Sequence, residues 1–304
     1  MRKAPPFWKG ESVPDFVDRH LAWFMLGPAM LVLLALTIYP VLNLIAMAFA
    51  DIRFEQAREI WTFRPLDNLR QLAGDEVFRR ALLNTIVFAV AAVCLEMLIG
   101  LALAILVSSL SGLKGLVRTT LILPVLMPPV AIGSMWKLMY NLDFGVLNQA
   151  VTALGLQPIN WLGSSSLALI SVIIVDVWHW TPFVFLILFA SVEGISKEIV
   201  DAARLDGAGN WGIVTRIIVP LIWPPLLVAA LFRIIMAFKV FDQVFLLTSG
   251  GPGNATEVVS LHLYKVYFQE NQLGYGSMLS LAIILALLCF IWISRRAGKA
   301  MEPR

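Results

Sequence analysis

Residues 195–220 of this chain read ISKEIVDAARLDGAGNWGIVTRIIVP and separate two long apolar runs. Ser196 is suited to cap the first turn of a helix, because its hydroxyl can accept from a free backbone N–H. That helix is predicted to end just before Gly207, which supplies the permissive backbone for a sharp stop. Asn210 can cap a second short helix over residues 211–217. The stretch therefore predicts a compact knob of two short helices, too short and too polar to enter lipid.

The composition of the whole chain points to a membrane protein. Of its 304 residues 59% are hydrophobic and only 14% are charged, and the mean hydropathy is +0.82. Soluble domains carry about 25% charged residues, and disordered chains are polar and highly charged, so both classes are excluded. The net charge of +3 is small and dispersed, which argues against nucleic acid as a partner. We expect an integral membrane protein embedded in the lipid bilayer.

Six segments are long and apolar enough to span a bilayer, which takes about 20 residues of helix. Lipid demands an internally paired backbone, so all six are predicted to be helical, with kinks or ends at their prolines. The charge-free run at residues 21–50 is too long for a signal peptide, so the first segment is expected to remain uncleaved. The fold class is therefore all-α, with six transmembrane helices. The predicted spans are residues 23–47, 82–107, 119–140, 167–189, 219–245 and 278–293.

Lysine and arginine residues predict the orientation of these spans. Thirteen of them fall in the tails and loops on the side of the two termini, and seven fall in loops on the opposite side. Cytoplasmic loops carry the excess, so both termini are predicted to be cytoplasmic, together with the loop at residues 191–218. The expected organisation is a cytoplasmic N-tail at 1–20, a first helix and external loop at 21–81, a main domain at 82–293, and a cytoplasmic C-tail at 294–304.

One face of the first helix in the cytoplasmic loop carries Ile199, Ala202 and Ala203, which recur at three- and four-residue spacing. Small side chains there would let the helix backbone approach another surface closely. Two interpretations remain open at this point: the loop packs on its own bundle, or it docks a cytoplasmic partner.

Six residues of the loop stand at a defined spacing over twenty positions: Asp201, Ala202, Ala203, Gly207, Ile217 and Pro220. This pattern resembles the "EAA" loop of binding-protein-dependent ABC importer permeases. The family pattern has glutamate at the first position and leucine before the proline. Asp201 and Val219 depart from it mildly, since they keep a carboxylate and an aliphatic side chain.

The resemblance extends over residues 82–293 and favours sugar-type permeases of the maltose and glycerol-phosphate importer kind. It rests on Asn84-Thr85, Pro128-Pro129, Phe241-Asp242 and the run at 248–252, among others. It implies a type I ABC importer permease fold in a bacterial inner membrane. It also implies several partners: two ATP-hydrolysing ABC subunits, a second homologous permease in a heterodimer, and an external or periplasmic solute-binding protein. The six loop residues would then form the element that couples to the ATPase.

Ionisable side chains inside the spans are costly and usually face the bundle interior or water. Glu96 can simply pair with a neighbouring helix, and Asp176 and His179 can pair on one helix face. Lys239 and Asp242 share an i, i+3 spacing and either neutralise each other or line a solute path. The six such residues are Glu96, Asp176, His179, Arg233, Lys239 and Asp242.

Aromatic faces beside hydrogen-bonding side chains are typical of sugar sites, since rings cover apolar C–H faces and polar groups meet hydroxyls. Trp136, Trp178 and Trp180 can belong to such a site or can anchor a helix at the interface. By resemblance, a flexible external turn with Gly250, Gly251 and Pro252 would dock the binding protein. The candidate translocation path is Lys239, Phe241, Asp242, Gln243, Asp176 and Trp178.

Several functions lack their sequence signals. There is no phosphate-binding loop, so ATP hydrolysis is assigned to a separate chain. No catalytic array or cofactor motif stands out, and three histidines in the whole chain make a metal site unexpected. The alternative to an ABC permease is a self-contained secondary transporter or channel, but such carriers commonly show inverted repeats and none is visible.

Overall fold

The computed structural model of the chain describes residues 13–55, 58–110 and 112–300. Residues 1–12 and 301–304, which belong to the two predicted tails, lie outside the described residues. The described part is mostly helical. Its helices and strands are α1 (Val13–Ala48), β1 (Ala50–Glu55), β2 (Arg58–Phe63), α2 (Asp67–Gly74), α3 (Glu76–Ser108), α4 (Lys114–Ile122), α5 (Pro129–Met139), α6 (Val146–Ala153), α7 (Ala168–Glu193), α8 (Lys197–Leu205), α9 (Asn210–Ile213), α10 (Val219–Leu221), α11 (Trp223–Phe238), α12 (Asp242–Leu247), α13 (Val259–Tyr264) and α14 (Leu273–Ala300).

Four helices are long and apolar enough to cross a membrane as single rods. They cover Met25–Ala48, Glu76–Ser108, Ala168–Glu193 and Leu273–Arg296. Each overlaps a predicted span, and the last is longer at both ends than the predicted 278–293. Within the bundle α3 packs along α7, α11 packs on both, and α1 lies against α14.

Two further spans are bent pairs of helices. The third runs from Lys114–Leu126 into Pro129–Met139 with a bend of 95°, and Pro128 occupies the cap position of α5. The fifth runs from Asn210–Leu221 into Trp223–Phe238 with a bend of 73°. The predicted interruptions at Pro128-Pro129 and Pro224-Pro225 are confirmed, since α5 begins at Pro129 and α11 begins immediately before Pro224. Proline cannot donate a backbone hydrogen bond and therefore interrupts a helix. Counting each pair as one span gives the predicted six.

The prediction of one helix through the end of the fifth span, at residues 219–245, was wrong. Helix α11 ends at Phe238, and the separate helix α12 begins at Asp242. We call residues 239–241 the break. Hydropathy reports only how well a segment partitions into lipid, so the apolar residues on both sides of the break concealed it.

The segment between the first two spans contains secondary structure that the sequence did not indicate. Strands β1 and β2 form an antiparallel hairpin in which Ala50 pairs with Phe63. Asn68 of α2 is buried and donates from Nδ2 to the carbonyl oxygens of Ala48 at 2.9 Å and Ala50 at 3.1 Å. These bonds fix the hairpin to the end of α1.

Candidate functional site

Three charged side chains from three helices meet inside the bundle. Arg233 of α11 donates to both carboxylate oxygens of Glu96 on α3, and its Nη2 lies 2.7 Å from Oε1. The same Nη2 donates to Oδ2 of Asp176 on α7 at 2.7 Å. All three side chains are buried. We call Glu96, Asp176 and Arg233 the ion triad; because buried charges need partners, it ties α3, α7 and α11 together.

A cavity of about 200 Å³ lies beside the ion triad, at the break in the fifth span. One wall comes from α7 and the other from the last turn of α11, the break and α12. Its polar and aromatic lining combines side chains that can form hydrogen bonds with rings that can cover an apolar face. These residues are Asp176, His179, Trp180, Lys239, Phe241, Asp242 and Gln243.

Gln243 is the most constrained polar side chain of this cavity. It is buried, and its Nε2 lies 3.1 Å from Nδ1 of His179. An amide nitrogen only donates, so Nδ1 of the imidazole accepts. The amide oxygen Oε1 has no hydrogen-bond partner among the described residues. A buried acceptor left unsatisfied costs about 1–3 kcal/mol, so this oxygen favours a hydrogen-bond donor in the cavity.

The structure brings five of the six predicted path residues together around this cavity. The exception is Trp178, which lines a separate apolar cavity of about 570 Å³ between α3, α4 and α7. Its ring packs edge-on against Trp136 at 5.6 Å between centroids. Two polar or aromatic residues of the lining were absent from the predicted path, His179 and Trp180. His179 was identified only as an intramembrane ionisable group, whereas Trp180 follows Asp176 by one helical turn and could have been found from that spacing.

The alternatives left open for the charged residues are resolved by their contacts. Glu96 does pair with a neighbouring helix, through Arg233. Asp176 and His179, which could have paired on one face, bond to other residues instead: Asp176 to Arg233 and His179 to Gln243.

Lys239 and Asp242 do not share a helix face, because the break separates them. Among the described side chains they form no ion pair with each other, and both are exposed. In the described part of the chain, no group of three or more histidine, cysteine, aspartate or glutamate side chains is arranged to hold a metal ion.

The loop at residues 191–218 folds into the predicted knob. Ser196 caps α8, and its Oγ accepts from the backbone N–H of Glu198 at 3.3 Å. Gly207 has φ of +85°, a value that favours glycine, and its N–H donates to the carbonyl oxygen of Arg204 at 3.0 Å. The second helix differs from the prediction: Gly209 rather than Asn210 occupies the cap position, and no side chain caps α9. It continues as a π-helix, Val214–Ile218, into α10.

The two faces of α8 have different surroundings. Val200 and Ala203 pack on the apolar core at the end of the bundle that carries the knob. Asp201 and Ala202 are exposed, and so is Ile199, which was expected to share a face with Ala203. The loop therefore packs on its own bundle with one face and leaves another free.

Further along the loop, two large apolar side chains of the knob project outward, Leu205 at 91% exposure and Trp211 at 78%. Ile217 and Pro220, which complete the predicted pattern, are half-buried where the loop joins the fifth span.

The turn at residues 248–253 is held by hydrogen bonds. Thr256 donates from Oγ1 to the carbonyl oxygen of Gly251 at 2.8 Å. Lys265 donates from Nζ to the carbonyl oxygen of Ser249 at 3.2 Å and to Glu257 at 2.7 Å. Gly250 is buried against this ion pair with φ of +90°. Pro252 is half-buried at the outer end of the turn.

Asp75, which caps α3 beside this turn, joins three elements. Burial raises the pKa of its carboxyl group, but hydrogen bonds from Tyr275, the Phe78 N–H and His262 outweigh burial. The net pKa of Asp75 therefore lies below its ordinary value. The His262 Nε2 lies 3.0 Å from the carboxylate, which connects α13 to the start of α3.

Comparison with known proteins agrees with this architecture. The chain is 32% identical over 283 residues to the trehalose/maltose transport system permease protein MalF of Thermococcus litoralis, covering 93% of this chain and 95% of that protein. It is 30% identical over 277 residues to the lactose transport system permease protein LacF of Rhizobium radiobacter, covering 88% and 91%.

A solved structure shares the fold. It is the crystal structure of a bacterial alginate ABC transporter in complex with alginate pentasaccharide-bound periplasmic protein. One of its chains superposes with a TM-score of 0.82 at 21% identity, covering 96% of this chain and 99% of that chain. The predicted fold class is thereby confirmed.

The family model described as binding-protein-dependent transport system inner membrane component matches residues 96–304. This match includes the ion triad, the cavity and the knob, and it confirms the resemblance drawn from the loop. The chain therefore belongs to the family of binding-protein-dependent transport system inner membrane components, the membrane-spanning permease subunits of ABC importers.

Proposed function

We propose that the cavity at the break is the part of this permease that passes its solute, and that the solute is a sugar or a related polyol. The observation that carries this proposal is the buried Gln243, whose Oε1 has no hydrogen-bond partner among the described residues and whose side chain lines a cavity that also presents an imidazole. The rings of Phe241 and Trp180 border the same space. Hydroxyl groups can donate to Oε1, while aromatic faces cover apolar C–H groups.

The names of the relatives support a sugar as the solute class. The two curated relatives are named for trehalose, maltose and lactose, and the transporter that shares the fold is named for alginate. These are carbohydrates of different length and charge. Their common feature is the hydroxyl-rich ring, which matches the lining of the cavity.

We propose further that the knob docks in a cleft of an ATP-hydrolysing subunit, with Asp201, Ala202, Ala203 and Gly207 at the contact. The exposed side chains Leu205 and Trp211 support this role, because large apolar side chains on a polar surface mark interaction sites. Two ATPase subunits would drive a pair of permeases, this chain and a second homologous permease in a heterodimer. ATP hydrolysis then belongs to the partner, and this chain is not an enzyme.

The remaining assignments follow the same scheme. Residues 82–293 would form the permease domain in a bacterial inner membrane, with both termini and the coupling loop 191–218 in the cytoplasm. The opposite end, where Gly250, Gly251 and Pro252 form the hydrogen-bonded turn, would receive the external solute-binding protein. The lysine and arginine distribution supports this orientation. Ile217 and Pro220 would join the knob to the fifth span.

The solute class is tested first on the cognate binding protein, by a thermal-shift screen against mono-, di- and oligosaccharides and polyols. A sugar or polyol that stabilises it supports the proposal; stabilisation by another solute class alone contradicts it. The solute found is then used for ATP-dependent uptake into liposomes that contain the full complex.

The cavity is tested by Gln243→Leu in the same liposomes, with Leu98→Ala on the exposed face of α3 as the matched control. We expect Gln243→Leu to lower uptake about tenfold or more, because it removes Oε1 and leaves the imidazole without its donor. The control should transport like the unmodified chain. Unchanged uptake by Gln243→Leu would remove this cavity from the solute path.

A further inference from the structure

Arg233 lies between the knob, which is proposed to dock the ATPase, and the cavity at the break, which is proposed to pass the solute. It lies on α11, about 15 Å along the helix from Trp223 at the joint with the knob and about 7.5 Å from Phe238 at the break, at 1.5 Å per residue. Its side chain is fully buried and does not line the cavity. The α11 helix leads to the knob through α10. Any rigid movement of this helix therefore displaces the guanidinium.

Asp176 belongs to both the ion triad and the cavity. Its Oδ2 accepts from Arg233 at 2.7 Å, and the residue also lines the cavity wall on α7. Glu96 holds the other side of the guanidinium but does not line the cavity. The guanidinium thus connects a fixed point on α3 with a wall of the solute space.

The geometry of these contacts is suited to transmit movement. Arginine binds carboxylates through a planar fork with fixed directions, whereas a lysine ammonium is a point charge on a flexible stem. The guanidinium also lies 5.0 Å from the ring centroid of Trp180, a second lining residue. A displacement of Arg233 along α11 therefore acts on two side chains of the cavity at once.

We infer that Arg233 is a positioning residue that couples the cytoplasmic knob to the wall of the solute cavity. This inference rests on the proposed function, in which the knob follows the ATPase and the cavity holds the solute. Movement of the knob shifts α11, and the ion triad carries this shift to Asp176 and Trp180. In the opposite direction, a solute that contacts Asp176 biases the position of α11 and hence of the knob.

The test compares two conservative variants in the complete complex, reconstituted with its ATPase subunits and binding protein. Arg233→Lys keeps the positive charge but loses the fork, whereas Glu96→Gln keeps a side chain that accepts from the fork but loses one charge. For Arg233→Lys we expect ATP hydrolysis to continue without stimulation by the solute-loaded binding protein, and uptake to fall about tenfold. For Glu96→Gln, which keeps an acceptor for the fork, we expect a smaller loss of uptake and of stimulation than for Arg233→Lys.

Two results would overturn the inference. One is Arg233→Lys with normal uptake and normal stimulation. The other is a loss in both variants that merely follows the amount of protein in the membrane, since that assigns the triad to folding alone. If the unmodified complex shows no ATP-dependent uptake, the proposed function fails instead, so the two failures are distinguishable.

If Arg233→Lys fails to accumulate in the membrane, a further variant tests the inference. The double variant Arg233→Gln, Glu96→Gln removes two charges and leaves two amides that can pair between α11 and α3, while the amide introduced at position 233 can still donate to Asp176. Hydrolysis without stimulation supports the inference. Normal stimulation overturns it, and so does failure of this double variant to accumulate.

Discussion

Replacing Gly100 with alanine should loosen the packing of α3 on α7, the most extensively packed pair of spans. A Cβ at this position would lie 2.7 Å from Cγ1 of Val184 and 3.2 Å from the backbone nitrogen of Phe185. Carbon atoms in good contact are about 3.5–4.0 Å apart, so the added methyl overlaps Val184 by about 1 Å. Val184 is fully buried, and the Phe185 nitrogen moves only if α7 moves. Such overpacking costs about 1–3 kcal/mol.

Gly115 provides a control variant that separates the steric overlap from the effect of alanine on helix propensity. Alanine stabilises a helix by up to about 1 kcal/mol relative to glycine, and this gain applies to Gly115→Ala in α4 as well. A Cβ at Gly115 meets no described atom within 4 Å, so Gly115→Ala should leave stability unchanged or raise it slightly. The free energies of unfolding of the two variants should therefore differ by about 1–3 kcal/mol, with Gly100→Ala the less stable.

The assay is unfolding in mixed micelles by a denaturing detergent, followed by circular dichroism. A difference below about 0.5 kcal/mol, or Gly100→Ala as the more stable variant, would refute the packing argument. Gly100 also lies one helical turn from Glu96. We therefore expect Gly100→Ala, but not Gly115→Ala, to lower solute uptake by the complex as well.

Three further predictions concern the knob and the turn at residues 248–253. A Cβ at Gly207 meets no described atom within 4 Å, but valine disfavours the φ of +85° there, so Gly207→Val should strain the knob and abolish uptake. Gly207→Asn, which tolerates positive φ, should retain more, and normal uptake by Gly207→Val would contradict the docking role. For Gly250→Ala we expect thermal unfolding in detergent to show a free energy of unfolding lower by at least about 2 kcal/mol. The reason is that φ is +90° and the added Cβ would lie 1.9 Å from Oε2 of Glu257. Unchanged stability would show that the turn rearranges freely. The lowered pKa of Asp75 stabilises the folded protein at pH values above 3.8, the ordinary pKa of this group. This stability is lost as the pH falls through the lower pKa that Asp75 has in the folded protein. Asp75→Asn should therefore lower stability at neutral pH and flatten its acid dependence between pH 5 and 2, and an unchanged acid profile would contradict the assignment.

The parts of the structure that the sequence predicted are those fixed by local rules. Ser196 caps α8 because a hydroxyl can reach a free N–H two residues on, and Gly207 takes positive φ because other residues rarely do. The bend before α5 follows from Pro128 and Pro129 in the same way. Each of these features is decided within one or two turns of chain, so one sequence is sufficient to predict it.

The parts that the sequence did not predict are decided by contacts between distant segments. Arg233 is 137 residues from Glu96 and 57 from Asp176, and no periodicity in one chain indicates which charges will meet. The break was missed for a different reason. Lys239 and Asp242 stood in an apolar run and were interpreted as a pair on one helix face, whereas charges at that spacing can equally mark the point where a helix ends at a polar cavity.

Six of the ionisable groups inside the spans gather in the ion triad and the cavity, and this placement connects the fold to transport. An ionisable group at the centre of a bilayer costs about 2.5–3.5 kcal/mol when it stays on a spanning helix, so six of them require compensation. Three of the six pair in the ion triad, and the other three, His179, Lys239 and Asp242, line the cavity. A chain selected only to hold six helices together would be more stable with apolar residues at these positions. Because each of these six groups lies either in the cavity or in the triad beside it, the proposed passage of a polar solute at this point, with α7 and α11 moving together, would explain their cost.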